Sequence, residues 1–262
     1  MDVPLSWHTD IAVLVGSGSS VDEHADHLVV RTPANPTYAW GNFVMVTDPA
    51  CVDDASRWAA VFAHSFPDAG HRAVGLPTNP ADVGAWAALG LEIEHEDVLV
   101  RDAPVEPRPL PEGYVVRPLS SDGDWEQSHA LRLADLTEEQ RSVPGRVVYE
   151  GGSTEARRRL VDSGNAVFLG AFVGDELAAD QGILDCGAGV ARYQDVITKA
   201  SHRRRGLTSH LLGEAAAWAA DRGVHTWVIL ADAGGAPSRL YQKLGFRPTQ
   251  PSSQAYRPAP RT

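Results

Sequence analysis

From Val196 to Leu212 the sequence reads Val-Ile-Thr-Lys-Ala-Ser-His-Arg-Arg-Arg-Gly-Leu-Thr-Ser-His-Leu-Leu. An apolar strand closing on Val196, Ile197 and Thr198 gives way to Arg203, Arg204, Arg205 and Gly206, and a helix opens at once with Leu207, Thr208 and Ser209. The first amides of a helix have no acceptor within it, and the helix dipole adds partial positive charge, so this junction suits a pyrophosphate. Gly206 lets a ligand approach the backbone closely, and the guanidinium groups can pair with phosphate oxygens. A solvated basic turn capping a helix is the alternative. Three arginines followed by glycine and small hydroxyl residues favour the anion site.

Other chemistries find less support. Gly16-Ser17-Gly18-Ser19-Ser20-Val21 follows an apolar run read as a strand, but the third glycine of a dinucleotide loop and its distal acid are missing, so it reads as a flexible turn. No Gly-x-x-x-x-Gly-Lys loop is present, which argues against P-loop phosphotransfer. The ten histidines show no His-Glu-x-x-His spacing. His24 and His27 could share a helical face, yet no further ligand accompanies them, and no metal is expected. Cys186, beside a glycine turn, lacks a sequence-evident base and reads as a small apolar filler. Arg157, Arg158 and Arg159 read as a solvated helix face that could reach a phosphate.

The elements needed to hold the basic junction can be read on either side of it. A strand at Tyr114 to Leu119 precedes a helix from Trp125 to Leu136 with Asp124 as N-cap, and a short basic helix opens at Thr154 and ends near Gly164. Ala166 to Val173, Leu177 to Leu184 and Val190 to Thr198 read as strands, with glycines at 174, 187 and 189 supplying the turns. Leu207, Leu211, Leu212, Ala215, Trp218 and Ala219 then form one helical stripe that Gly223 ends. Thr226 to Leu230 suits a buried strand; a helix around Pro237 to Leu244 and a strand pair from Phe246 complete a mixed α/β sheet. Four prolines between Ala103 and Pro111 forbid helix, which divides the chain into 1–102, a linker at 103–112 and 113–262. Trp86-Ala87-Ala88-Leu89-Gly90-Leu91 is echoed by Tyr241-Gln242-Lys243-Leu244-Gly245-Phe246 at an offset of 155 residues. An apolar strand and an Ala- and Trp-rich helix precede each copy in the same order, so the halves read as a duplication.

The region from Tyr114 to about Arg257 resembles the GNAT superfamily of acyl-CoA-dependent N-acetyltransferases. The glycine-loop signature matches at Arg203 and Gly206, with Thr208 where the family has Gly or Ala. The segment Leu240-Tyr241-Gln242-Lys243-Leu244-Gly245-Phe246 meets a second signature in full, although Gly234 stands where an asparagine is common. The resemblance implies two GNAT-like mixed-sheet α/β domains in tandem, the second holding the intact acyl-CoA site. It implies acetyl-CoA as acyl donor, bound by the backbone of Val196, Ile197 and Thr198 and by Arg203 to Ser209. Tyr241 would protonate the departing thiolate, and Asp195 stands where many relatives draw the proton from the amine. Each role has a plainer counterpart: Tyr241 as a packing residue, Asp195 as an exposed strand aspartate. The expected reaction is direct acetyl transfer to an amine in a ternary complex. A non-catalytic acyl-CoA-binding or interaction protein is the alternative, and a hydroxyl acceptor would use the same donor site. The acceptor, a small-molecule or peptide amine, is expected against the Leu136 to Ser153 loop with Tyr149 and Glu150. In the first half the repeat puts Cys51 at the place of Gly206, among Asp48, Asp53 and Asp54, and Trp86 at that of Tyr241, which implies a degenerate copy without CoA and an internal pseudo-dimer able to work as a monomer.

Composition fits this picture. The 262 residues are 43% hydrophobic and 22% charged, which is globular, and two distant cysteines support neither a disulfide framework nor structural zinc. The net charge of -11 opposes general nucleic-acid binding, and up to Glu112 only 5 Lys and Arg face 17 Asp and Glu. From Gly113 the count is 18 against 17, so a phosphate-rich ligand belongs to the second half, and the acidic first half hints at a cationic acceptor. The start of the sequence lacks a basic leader and no apolar run approaches a bilayer span, so a cytoplasmic protein without membrane contact is expected.

Overall fold

The computed structural model describes residues 3–143 and 145–260. The first half comprises α1 (Leu5–Gly16), β1 (Ser20–Glu23), β2 (His27–Arg31), β3 (Phe43–Val46), α2 (Ala55–Ser65), β4 (Arg72–Leu76), α3 (Val83–Ala88) and β5 (Glu92–Arg101). The second comprises β6 (Tyr114–Pro118), α4 (Asp122–Asp135), α5 (Glu138–Arg141), α6 (Arg146–Asp162), β7 (Ala166–Val173), β8 (Glu176–Asp185), β9 (Val190–Thr198), α7 (Leu207–Ala220), β10 (Thr226–Asp232), α8 (Ala236–Lys243), β11 (Arg247–Pro248) and β12 (Ser252–Arg257).

All the strands join one sheet in the order β1-β2-β3-β4-β12-β5-β10-β9-β8-β7-β6, with β11 against β5. The order is a near palindrome about the β12–β5 pair. β3 runs parallel to β4, and β9 runs parallel to β10; the two hairpins β1–β2 and β7–β8 flank these pairs. The repeat offset relates β4 to β10 and β5 to β12, so each half passes its last strand to the other's sheet: β5 lies against β10, and β12 against β4. The alternation of side chains across a sheet sorts the covering layers. Leu211, Ala215 and Tyr241 from α7 and α8 pack with Ile183, Ala191, Trp227 and Ile229 on one face. On the other face Leu5 of α1 meets Val98, Val100 and Val228, and α4 brings Trp125 onto Phe168. The proline-rich connector lies on α7, where a Cβ on Gly213 would stand 2.3 Å from the Cα of Pro107, so only glycine permits the contact.

Several local expectations change. α4 begins three residues earlier than its apolar stripe suggests: Ser121 is the N-cap and Asp124 reciprocates in a capping box. The basic helix opens at Arg146 rather than Thr154, because Gly151 and Gly152, read as loop, lie inside it. A Cβ on Gly152 would come within 2.6 Å of the Asn35 amide, so the glycine is kept by the close approach of the first half. The Ile11 to Val15 run is the end of helix α1, so Gly16-Ser17-Gly18 follows a helix and not a strand. His24 and His27 flank the turn joining β1 to β2, their rings stacked at 4.3 Å, and share no helix. Among the described residues no helix is long and apolar enough to cross a membrane, and no cluster of His, Cys, Asp and Glu could hold a metal ion.

Candidate acyl-transfer site

The site is built where two parallel strands stop pairing. β9 and β10 are in register only from Val190 opposite Thr226 to Arg192 opposite Val228. From Tyr193 onward the β10 side of β9 has no strand partner among the described residues, while its other side stays paired to β8. The two strands therefore open as a V, with Val196, Ile197 and Thr198 along one arm. A bulge sits at its base: the β8–β9 register shifts opposite Gln181, and Asp195 takes a φ of +51°, left-handed backbone that non-glycine residues seldom adopt. Arg132 of α4 holds this bulge by donating to the Asp195 carbonyl at 2.8 Å. Its guanidinium is fixed in turn by Asp180 through bonds of 2.9 and 2.5 Å, and both side chains are buried.

At the open end of β9 the chain makes a short turn and enters α7. Arg204 and Gly206 have φ of +63° and +87°, so the backbone coils before the helix. No side chain caps α7, and the amides of Leu207, Thr208 and Ser209 find no acceptor among the described residues. A Cβ on Gly206 would meet nothing within 4 Å, which leaves open space over these donors. The residues read as one phosphate-binding set do not act alike. Arg203 is tied to Asp135 and to the Thr198 carbonyl, so it braces the loop. Arg205 makes a long bond of 3.4 Å to the Ser201 carbonyl, and Arg204 has no side-chain partner among the described residues. Leu207 and Ser209 are buried and offer only backbone, whereas the Thr208 hydroxyl bonds Thr198 at 3.0 Å and ties the helix to the strand.

Tyr241 lies on α8, beside the other arm of the V. It is 5% exposed, its ring packs edge-on against Phe246, and its hydroxyl makes no hydrogen bond among the described residues. Burial pushes its pKa up to about 12, so the phenol keeps its proton at any ordinary pH. Asp195 is exposed and stands on the opposite face, 3.6 Å from Arg157 of α6. The structure brings Asp195, Val196 and Ile197 together in one open cavity with Tyr149, Glu150 and Arg157; Tyr241 does not line it. Arg157, read as part of a solvated face, is instead buried, and Arg158 and Arg159 bond Asp122 and the Ser17 carbonyl, so none of the three reaches the α7 loop. Burial pushes the Cys186 thiol up to about 12, which disfavours its thiolate.

Two further cavities lie in the seam between the halves, the first of them bordered by Asp195. The first is lined by Leu14, Tyr38, Tyr149, Arg157, Gln194 and Asp195, with the Tyr38 and Tyr149 rings 5.2 Å apart. The second lies beneath α1, between Trp7, Asp10, Tyr38, Glu96, Arg192 and Gln194. The first-half residues at the site, Asp10, Asn35, Tyr38 and Glu96, belong to no motif; the only sequence signal toward them is the acidic balance of that half.

The same positions in the first half are differently furnished. The N-terminus of α2 is closed by Asp54, which accepts from the Arg57 amide at 3.1 Å. Asp53 accepts from the amides of Ala81 and Asp82, and Asp48 from that of Ala50. Where α7 offers free donors, α2 offers carboxylates. Trp86, at the place of Tyr241, is fully buried.

Residues 164–248 match the acetyltransferase (GNAT) domain family. No curated protein matches the sequence. Among solved structures, a functionally unknown conserved protein from Staphylococcus epidermidis superposes with a TM-score of 0.69 at 11% identity, covering 93% of this chain and 95% of that one. A GCN5-related N-acetyltransferase from Kribbella flavida gives 0.67 at 15% identity, over 99% and 98% of the two chains. A tandem GNAT protein from the clavulanic acid biosynthesis pathway gives 0.61 at 16%, over 96% and 88%. Residues 164–248 thus match the GNAT acetyltransferase domain model, and the chain shares the fold of a tandem GNAT protein along nearly its whole length.

Proposed function

We propose that the protein transfers an acetyl group from acetyl-CoA directly to an amine in a ternary complex. The observation that carries this reading is the V between β9 and β10 ending at an uncapped helix start. Pyrophosphate oxygens would take the amides of Leu207, Thr208 and Ser209 with Arg204 and Arg205 alongside, and the thioester arm would lie along Val196, Ile197 and Thr198. The donor then reaches the V from the α7 and α8 face. The acceptor meets it from the α1 and α6 face, where Asp195 and Tyr149 line the cavity.

Direct transfer needs a neutral amine, a donor to the carbonyl oxygen and a proton for the leaving sulfur. The unpaired edge of β9 supplies the backbone donor. Tyr241 supplies the hydrogen bond to sulfur. A phenol held at about 12 facing a thiol near 8.5 makes complete transfer uphill by roughly 5 kcal/mol, so its main contribution is a hydrogen bond to the developing thiolate, with solvent completing protonation. Asp195, exposed on the acceptor side, takes the amine proton directly or through water. Capped by its own carboxylates at α2, the first half binds no CoA and serves as a wall of the acceptor site; the chain is its own pseudo-dimer and works as a monomer.

Isothermal titration with CoA tests the donor site. One site per chain, weakened by Arg204→Glu, is the expected result; two sites per chain, or unchanged affinity in the variant, would remove it. Release of CoA with a panel of amines tests the reaction, and tight CoA binding with no turnover on any amine would leave an acyl-CoA-binding protein instead.

A further inference from the structure

The cavity beneath α1 contains a carboxylate with no ion-pair partner of its own among the described residues. Glu96 of β5 faces this cavity, and its side chain makes no hydrogen bond or ion pair among the described residues. Its neighbour Asp10 is paired with Arg192 at 3.0 Å, and Arg192 also bonds the Thr9 hydroxyl at 2.9 Å, so that charge is spent on its own partner. The Gln194 side chain likewise has no partner among the described residues and lines both this cavity and the one at Asp195. Trp7, Trp40 and Tyr38 form aromatic walls, with the two indoles 5.9 Å apart, and Val13, Leu14 and Gln254 complete the lining. A carboxylate facing aromatic rings is the chemistry that recognises an alkylammonium.

We infer that the acceptor is an amine carrying a second, non-reacting ammonium group, which docks on Glu96 between the halves while the reacting nitrogen reaches Asp195 at the V. This rests on the acyl-transfer reading of the V. The two cavities share Tyr38 and Gln194 as walls, and β9 and β5 flank β10, two strand spacings apart where the three pair and wider where the V opens, so the two nitrogens are at least about 10 Å apart. Glu96 comes from the first half: the exchanged strand carries specificity into the second half's site. Ionised, it has the carboxylates of Asp10 on α1, Asp232 on β10 and Glu94 on β5 near it against the cation Arg192 on β9, and an incoming ammonium corrects that imbalance.

The test is calorimetry at pH 8 without acyl-CoA, using an α,ω-diaminoalkane of about eight carbons, long enough for that span, and the alkylamine of equal length. The wild-type protein is expected to bind the diamine at least tenfold more tightly, and Glu96→Gln to abolish the difference while leaving acetyl-CoA affinity unchanged. Trp40→Leu, which keeps the carboxylate, should weaken the diamine alone. Equal affinity for the two amines in the wild type, or a preference that survives Glu96→Gln, overturns the inference. Failure of acetyl-CoA to bind would instead overturn the acyl-transfer reading, and the diamine result would stand by itself.

Discussion

Replacing Glu96 by Gln should stabilise the free protein, and only at higher pH. Burial, with Asp10 adding like charge, raises its pKa from 4.5 to about 7. A raised carboxyl pKa means that the folded state holds the proton more tightly than the unfolded one, so stability is lost as pH rises from the unfolded value through the folded one. At about 1.4 kcal/mol per unit, the loss is under about 1 kcal/mol at pH 5 and about 3 kcal/mol at pH 8. Glutamine keeps the shape and removes the charge. Urea unfolding of both proteins at the two pH values, with equal m-values as the check on two-state behaviour, reads the difference directly. The expected gain is about 2 to 3 kcal/mol larger at pH 8 than at pH 5. A variant that is destabilised at pH 8, or shifted equally at both, would refute the reasoning by showing that the carboxylate is solvated or already paired. A gain would mark Glu96 as a residue kept at the expense of stability, as binding residues commonly are.

The other predictions concern the opposite side of the V. Asp180→Asn leaves Arg132 buried without its counter-ion and should cost about 3 to 5 kcal/mol in a denaturant titration; an Arg132→Met, Asp180→Leu pair should recover stability without recovering turnover, since the bond to the Asp195 carbonyl is gone. Tyr241→Phe should lower turnover by about 10² to 10³ with CoA affinity intact, the loss of one hydrogen bond made in the transition state, and full activity would show that the phenol gives none to the sulfur. Gly206→Ala should cost about 1 to 2 kcal/mol from its left-handed backbone and raise the KM for acetyl-CoA, because the methyl enters the space above the helix amides. Asp195→Asn should slow turnover most at low pH, where the amine is protonated; a pH profile identical to wild type would deny it a base role.

How much of this was legible in the sequence differs by element. The bounds of β7 and β9 coincide with the reading because alternation and flanking glycines define them locally, and α7 follows from a single apolar stripe. Gly151 and Gly152 oppose helix by propensity and so place the start of α6 too late, while the packing of Asn35 that favours glycine there is a contact from another part of the chain. The five consecutive apolar residues of α1 are compatible with either period, so the sequence does not distinguish helix from strand there. The glycine loop could be located but its arginines could not be sorted, since Arg203 is set apart only by Asp135 coming alongside. The bulge at Asp195 and the carboxylate of Glu96 were beyond reach: one depends on Arg132 and Asp180 meeting across the fold, the other on a strand leaving its own half.

That exchange of strands also dictates how the protein can be made. During synthesis β1 to β5 emerge first, yet β4 has no neighbour on one side until β12 follows, and β5 has no strand partner at all before the second half appears. The nascent first half is therefore an open sheet with an unsatisfied edge, the kind of surface that pairs with the wrong chain. Closure must come late and at once, when β12 slides between β4 and β5 and completes both halves together. Unfolding should be equally indivisible, and a fragment cut at the proline-rich connector would expose two raw edges rather than release a domain.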